Sequence, residues 1–347
     1  MCLDRDTCAV THGSDFARLS RVIQDAGLLD RRPAYYALRL SLVALAFAGG
    51  WAAFVSLGDS WWQLLVAIVL AIAFAQVALI AHDLAHRQVF RTRRASAVAG
   101  RIAGNLGVGM SYGWWMDKHT RHHANPNHED HDPDVDPSLL VWSEDQAARA
   151  GGLSRFIAKW EAYLFFPLLT LEAWNLHVSS VRALSRLRDR RLETLLLLAH
   201  FVWYFALVFT VLPAGKAIVF VLVQKAVFGV YLGCTFAPNH KGMPVLTGAD
   251  SYDYLRKQVL TSRNVRGGRF IDVLLGGLNY QIEHHLFPSM PTPNLRKAQP
   301  LVRAHCDALG ISYAEAGLFE SYGIALSHMH AIGAQLRAKP ASEPVMR

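Results

Sequence analysis

The chain has 347 residues, of which 52% are apolar and only 18% charged, and its formal net charge is +8. A typical soluble domain carries about 25% charged residues, so an ordinary water-soluble globule is excluded, as is disorder over most of the length. The positive charge leaves a nucleic-acid partner open until the positions of the basic residues are read.

The first 37 residues are polar and rich in arginine, with no apolar core followed by a cleavage site, and do not read as a secretory signal. Within them, residues 14–26 pattern as a short amphipathic helix. Ser14 can cap it, Phe16, Leu19, Val22 and Ile23 supply an apolar face, and Gly27 can end it. Four apolar stretches of spanning length follow, at 40–57, 61–81, 195–212 and 217–236. About 20 apolar residues are needed to cross the hydrocarbon core as a helix. Gly58, Asp59 and Ser60 join the first two stretches and residues 213–216 join the last two, so the spans form two helical hairpins. Burial in a soluble helical core is the competing reading, but four such stretches are hard to hide in one domain. Residues 156–176, which mix aromatics with Lys159, Glu161 and Glu172, suit helices lying at the interface. Gln224 and Lys225 fall inside the fourth stretch and are expensive in lipid. Either they face a cavity or partner, or Lys225 snorkels from a tilted helix. The last dozen residues read as a loose tail.

The basic residues set an orientation. Arg31, Arg32 and Arg39, then Arg87, Arg91, Arg93 and Arg94, then Arg182, Arg186, Arg188, Arg190 and Arg191, then Arg256, Lys257, Arg263, Arg266 and Arg269 all lie outside the short links. The positive-inside rule then puts both termini and the central segment in the cytoplasm. The net charge faces anionic headgroups, and nucleic acid is not needed to explain it. Cys2, Cys8, Cys234 and Cys306 have no framework spacing and read as thiols on a reducing side. The excess of arginine over lysine and the abundant alanine point to a bacterial gene, hence to a bacterial inner membrane.

The sixteen histidines are clustered. His82 and His86 stand four apart at the end of the second span and share one helix face. His119, His122 and His123 have spacing i, i+3, i+4. Gln281, His284 and His285 repeat that spacing with glutamine in first place. His240 follows the fourth span directly, is delivered to the same layer, and reads as a ligand with Asn239 beside it. Burying imidazoles for packing alone costs desolvation and gains little. One tetrahedral zinc site takes four ligands at most, so eight imidazoles fit two metals with open positions. Imidazole suits iron, zinc, copper and nickel alike, so two metals are better fixed than their identity. Asp83 and Glu283, inside the clusters, can orient rings as outer acceptors. His128, Asp130, His131, Asp132, Asp134 and Asp136 read as a surface loop rather than a metal site. His177, His200 and His305 stand alone and read as packed or exposed.

The motifs HDLAH (82–86), HTRHH (119–123) and QIEHH (281–285), in that order alongside two hydrophobic hairpins, resemble the three histidine boxes of membrane fatty acid desaturases. The resemblance covers roughly residues 35–310. The run NYQIEHHLFP (279–288) looks like the third box of the front-end and acyl-CoA desaturase-like branch, where glutamine replaces the first histidine.

The resemblance implies an all-α integral membrane protein with four spanning helices and a cytoplasmic helical cap holding two non-haem irons. The implied segments are 1–37, a desaturase domain at 38–310, and a C-terminal segment at 311–347. The implied ligands are His82, His86, His119, His122, His123, His240, His284 and His285. Gln281 could ligate weakly, bond a metal-bound water or only shape the site. The implied reaction uses O₂ and two electrons to place a double bond in an acyl-lipid or acyl-CoA chain. Breaking an unactivated C–H bond offers no work to a general base or nucleophile, so the metal carries the hard step. Many front-end enzymes of eukaryotes carry a fused cytochrome b5 domain with a His-Pro-Gly-Gly motif. That motif is absent here. The expected electron donor is therefore a separate ferredoxin, flavin-iron-sulfur reductase or cytochrome b5. The basic residues around 256–266 either steer that donor or simply anchor the membrane face. Competing readings are a hydroxylase or ketolase of the same superfamily, a membrane hydrolase with His-bound zinc, and a non-catalytic lipid-binding protein.

Overall fold

A computed structural model describes residues 14–137 and 140–337. Cys2, Cys8, His12 and the C-terminal tail from residue 338 lie outside the described residues. The chain opens with α1 (Asp15–Asp25), where Ser14 accepts a hydrogen bond from the Ala17 amide and Leu19 and Ile23 are buried. The expected short amphipathic helix is therefore present.

Two long apolar helices follow, α2 (Pro33–Leu57) and α3 (Gln63–Ala85). After α4 (Arg93–Arg101) comes a π-helical segment, Ile102–Val108, and then α5 (Tyr112–Ala124), capped by Ser111. A loop and α6 (Glu144–Arg149) lead to α7 (Gly152–Leu169) and α8 (Glu172–Ala183). A second long apolar pair is α9 (Arg190–Val211) and α10 (Ala214–His240). The remainder runs α11 (Tyr254–Leu260), β1 (Asn264–Arg266), α12 (Arg269–Leu274), α13 (Gln281–Leu286), α14 (Thr292–Ala308), β2 (Glu315–Gly317) and α15 (Leu318–Arg337). The two strands pair in parallel, Asn264 opposite Glu315. The fold is otherwise helical.

Among the described residues, α2, α3, α9 and α10 are the four helices long and apolar enough to cross a membrane. Their outward faces carry exposed Leu42, Leu45, Val69, Ile72, Leu195, Leu198, Val202 and Phe209. A patch of that kind is untenable in water and natural against lipid. The inward faces share one core of Phe54, Phe74, Tyr204, Phe220 and Phe228, with α10 against α3 at its centre. Gly229 and Gly233 let the α7–α8 connection sit directly on α10. A Cβ at Gly229 would lie 2.5 Å from the Leu169 carbonyl oxygen. Small residues four apart are the usual means of such close approach between membrane helices.

The link after α2 and the link before α10 meet at one end of this bundle, where Lys216 Nζ lies 2.7 Å from Asp59. At 1.5 Å rise per residue, the far ends of α3 and α10 lie about 35 Å away, one hydrocarbon thickness. All other described elements gather toward that far end or between the helices. The expected segments 1–37 and 311–347 join the same body over their described residues. There α1 packs on α11 and α14, while α15 packs on α7 and α10. On α7 and just beyond it, Phe156, Tyr163 and Leu171 remain exposed, the face expected to lie at an interface.

Candidate metal centre

Each histidine cluster is carried to the far end of the bundle by its own helix. His82 lies in the last turn of α3 and His86 caps it. His119, His122 and His123 occupy the last turns of α5, His240 ends α10, and His284 and His285 sit on the short α13. Asp83 anchors this end. Its Oδ2 accepts from Arg39 at 2.7 Å and from Thr292 Oγ1 at 3.2 Å, tying α2 and α14 to α3.

The eight imidazoles converge in two groups. Ring nitrogens of His82, His86, His119, His123 and His284 lie within 4.8 Å of one another, and so do those of His122, His240 and His285. The groups touch, since the His123 and His285 rings stack at 4.3 Å.

In the three-histidine group each Nδ1 is turned outward to a fixed acceptor. His122 pairs with Asp132 at 2.9 Å, His240 with the Thr261 carbonyl at 3.0 Å, and His285 with Gln258 Oε1 at 2.9 Å. An imidazole that donates from Nδ1 keeps its lone pair on Nε2, so three Nε2 atoms converge, that of His240 accepting from the Gln281 amide and that of His285 without a partner. In the five-histidine group, His119 Nε2 lies 2.8 Å from His86 Nε2 and 3.0 Å from His123 Nε2. One proton cannot satisfy both contacts. Both nitrogens of His284, with His82 Nε2 and His285 Nε2, are buried without any hydrogen-bond partner. Orphaned acceptors crowded together are costly unless a cation sits among them. Burial, and after it the neighbouring imidazoles, holds His86, His119, His123, His284 and His285 well below the ordinary histidine range. They are neutral imidazoles at pH 7. His122 differs: burial pulls it down, but Asp132 and Asp134 outweigh that and raise it.

Of the sequence-derived outer partners, only some take the expected place. Asp83 Oδ1 stands 3.5 Å from His82 Nδ1, beyond a good hydrogen bond, and its close partners are Arg39 and Thr292. Glu283 is a correction, because it orients no histidine. Its carboxylate turns away from the cluster and accepts from Tyr313 at 2.6 Å and Asn264 at 2.8 Å. The reason is helical phase: Glu283 lies on the side of α13 opposite the site.

Asn239 donates to the Thr235 and Leu278 carbonyls and to Gln281 Oε1, at 3.1 to 3.2 Å. With its oxygen so held, Gln281 presents Nε2 to His240 Nε2 at 2.9 Å. In that pose the amide is a donor, not a ligand.

Asp132, read from sequence as a surface-loop residue, is 1% exposed and orients His122. It also accepts from the Asn127 amide, and Asp134 stands 3.4 Å from His122 Nδ1. Gln258, which accepts from His285, stands in no motif of the sequence. The spacing of a loop carboxylate ten residues after a histidine carries no periodic signal, whereas the dense run of aspartates after HTRHH was a visible cue. His128 and His131 pair with each other away from the cluster.

A cavity of about 310 Å³ adjoins the centre. His82, His119, His122 and His240 form one wall, Leu169, Leu176, Leu232 and Phe236 another, and Lys118, Asp134 and Lys241 a polar side. It is an apolar slot with polar residues on one side, beside the converging ring nitrogens.

The sequence matches the family model "Fatty acid desaturase" over residues 59–317, and the chain belongs to that family. It is 33% identical to an acyl-lipid (9-3)-desaturase of Physcomitrium patens, over 88% of this chain and 60% of that protein. It is also 33% identical to fatty acid desaturase 3 of Bos taurus, over 86% and 68%, and 30% identical to the Delta(5) fatty acid desaturase fat-4 of Caenorhabditis elegans, over 91% and 73%. The chain thus spans about three fifths of the length of the first of these relatives.

Proposed function

We propose that this chain is an O₂-dependent fatty acyl desaturase whose eight converging histidines hold two iron ions. The observation that carries the reading is the convergence of the His122, His240 and His285 ring nitrogens beside a five-histidine group in which both nitrogens of His284 and Nε2 of His82 are buried without a partner. Neutral imidazoles with few carboxylates fit a pair of divalent transition metals and do not fit magnesium or calcium. When bound, the irons supply the oxidising power that an unactivated C–H bond demands. O₂ takes four electrons to become two waters; two come with the hydrogens of the acyl chain, and an external electron-transfer protein supplies the other two.

The chain's own residues do the rest. Asp132, Gln258 and the Thr261 carbonyl fix three ring orientations, as outer partners of metal-bound histidine do. Leu169, Leu176, Leu232 and Phe236 keep the slot dry around an alkyl chain. Lys118 and Lys241, one residue from His119 and His240, line the slot's polar side together with Asp134, which pairs with Lys118 at 2.5 Å, and the polar end of an acyl chain fits there. The Delta(5) name of one relative favours insertion toward the carboxyl end. The positive residues further favour a cytoplasmic position for the centre. A bacterial inner membrane rests on composition alone, and the relatives named above are all eukaryotic.

The test is expression in a host with compatible donors, with metal analysis and fatty-acid profiling that locates the double bond. About two irons per chain and products short of two hydrogens are expected. Zinc retained under ample iron, or products that gain oxygen, would sink the reading.

A further inference from the structure

A second cavity lies away from the metal centre, between α8, α9 and α10. Its volume is about 450 Å³, within the range of ligand sites, and its walls include Trp174, Val178, Val181, Phe201 and Phe205. Val178 and Val181 are about half exposed, so the cavity opens toward the surroundings of the bundle.

Two features make it more than a gap between helices. First, Arg182 lines it and starts a run of five arginines in ten residues, with Arg186, Arg188, Arg190 and Arg191. All five are exposed. The acids nearby are already committed, because Arg101 from α4 pairs with both Asp189 and Glu193, at 3.2 Å to Glu193. Asn105 and Ser111 also donate to Glu193. Among the described residues none of the five arginines forms an ion pair. They stand where α9 enters its apolar run, at the end opposite the Lys216–Asp59 contact.

Second, Lys225 lines the same cavity. It is 2% exposed, its Nζ has no hydrogen-bond partner, and it lies 4.5 Å from the centre of the Tyr204 ring. The cavity therefore has guanidinium charge at its mouth, a buried amine without a hydrogen-bond partner in its lining, and apolar aromatic walls between.

We propose that this cavity is a binding site for an anionic phospholipid, with one acyl chain between α8 and α9 and the phosphate group against Arg182 and Arg186. Charge complementarity selects the occupant. Five unpaired guanidinium groups repel a cationic amphiphile and match a phosphodiester bidentately. Basic pockets between membrane helices at a headgroup level hold anionic lipid in the same way. The site uses no residue of the metal centre and stands whichever metal is bound there.

The full-length protein, purified in detergent, is titrated with dioleoyl phosphatidylglycerol and with dioleoyl phosphatidylcholine, and bound lipid is counted by native mass spectrometry. Phosphatidylglycerol should bind about thirtyfold more tightly, a preference on the scale of two headgroup-level arginines. R182Q/R186Q should abolish the preference, and V178W, which fills the cavity, should exclude both lipids while iron content stays unchanged. Equal binding of the two lipids overturns the proposal. So does a preference that survives R182Q/R186Q, lipid binding unchanged in V178W, or competition by inorganic phosphate as strong as that by the lipid, which would reduce the site to a surface anion patch.

Discussion

His200 and His240 are buried in different regions and look alike taken singly. His200 Nδ1 pairs with the Leu106 carbonyl at 3.0 Å, and His240 Nδ1 pairs with the Thr261 carbonyl at 3.0 Å. His177 repeats the device on Gly109 at 2.9 Å. The His177 and His200 rings are left with a bare Nε2, whereas that of His240 accepts from Gln281 Nε2 at 2.9 Å. What differs is where that lone pair goes. His240 shares a point with His122 and His285, whereas the His177 and His200 rings stand 6.1 Å apart, with Lys225 lining the same cavity as His177. In the membrane layer the two rings serve the backbone. They accept the burden of carbonyls freed by the π-helix and by Gly109, whose φ is +76°, and lipid cannot satisfy such groups. Burial and tautomer do not make a metal site; convergence does.

The largest effect should separate these two regions. His285→Ala removes one of the three proposed ligands and should lower both activity and the iron content of that group by a hundredfold or more, beyond the roughly 10–100-fold typical of outer-partner changes. His200→Ala should leave iron content at the wild-type level and cost about 0.5–1.5 kcal/mol of stability through the lost hydrogen bond, since the Leu106 carbonyl keeps its bond from Trp203 Nε1 at 3.2 Å. Metal analysis and thermal unfolding in detergent read the two outcomes. Loss of iron in His200→Ala would dissolve the distinction.

A middle-sized effect should separate two carboxylates that sequence alone ranked the other way. Asp132→Asn keeps the shape but weakens the acceptor for His122 and should cost about 10–100-fold in metal affinity. Glu283→Gln should change metal affinity little, because Tyr313 and Asn264 are its partners. Chelator competition on the iron-loaded protein measures both.

That inversion marks where the sequence stops being legible. The spans could be read from apolar run length, seven of the eight histidines from helical spacing and His240 from its place after the fourth span, because these signals are local. Asp132 and Gln258 reach their histidines through loop closure and helix packing, which leave no period. Glu283 sits within a histidine box, yet helical phase turns it away. The cavity beside α8 could not be read either. Its walls come from three helices, and only the unexplained cost of Lys225 in an apolar run pointed there.

The smallest effect concerns a buried carboxylate with no part in the centre. Glu161 on α7 is fully buried; one oxygen accepts from the Val141 amide at 3.2 Å and the other has no partner. Burial pushes its carboxyl up to about 8, against the opposing pull of the Val141 amide and Lys241. The folded protein thus holds this proton more tightly than the unfolded chain, where the value is 4.5. The sign follows by linkage: an acid raised on folding favours the folded state at low pH, and that contribution is lost as pH rises from 4.5 through 8. Glu161→Gln mimics the protonated form at every pH. The variant should match the wild type in thermal unfolding near pH 5 and exceed it increasingly toward pH 8, with iron content unchanged throughout. A midpoint difference that is constant across that range would show that Glu161 does not titrate in the folded protein. A difference that tracked iron content instead would place Glu161 with Asp132 and the histidines, on the other side of the comparison.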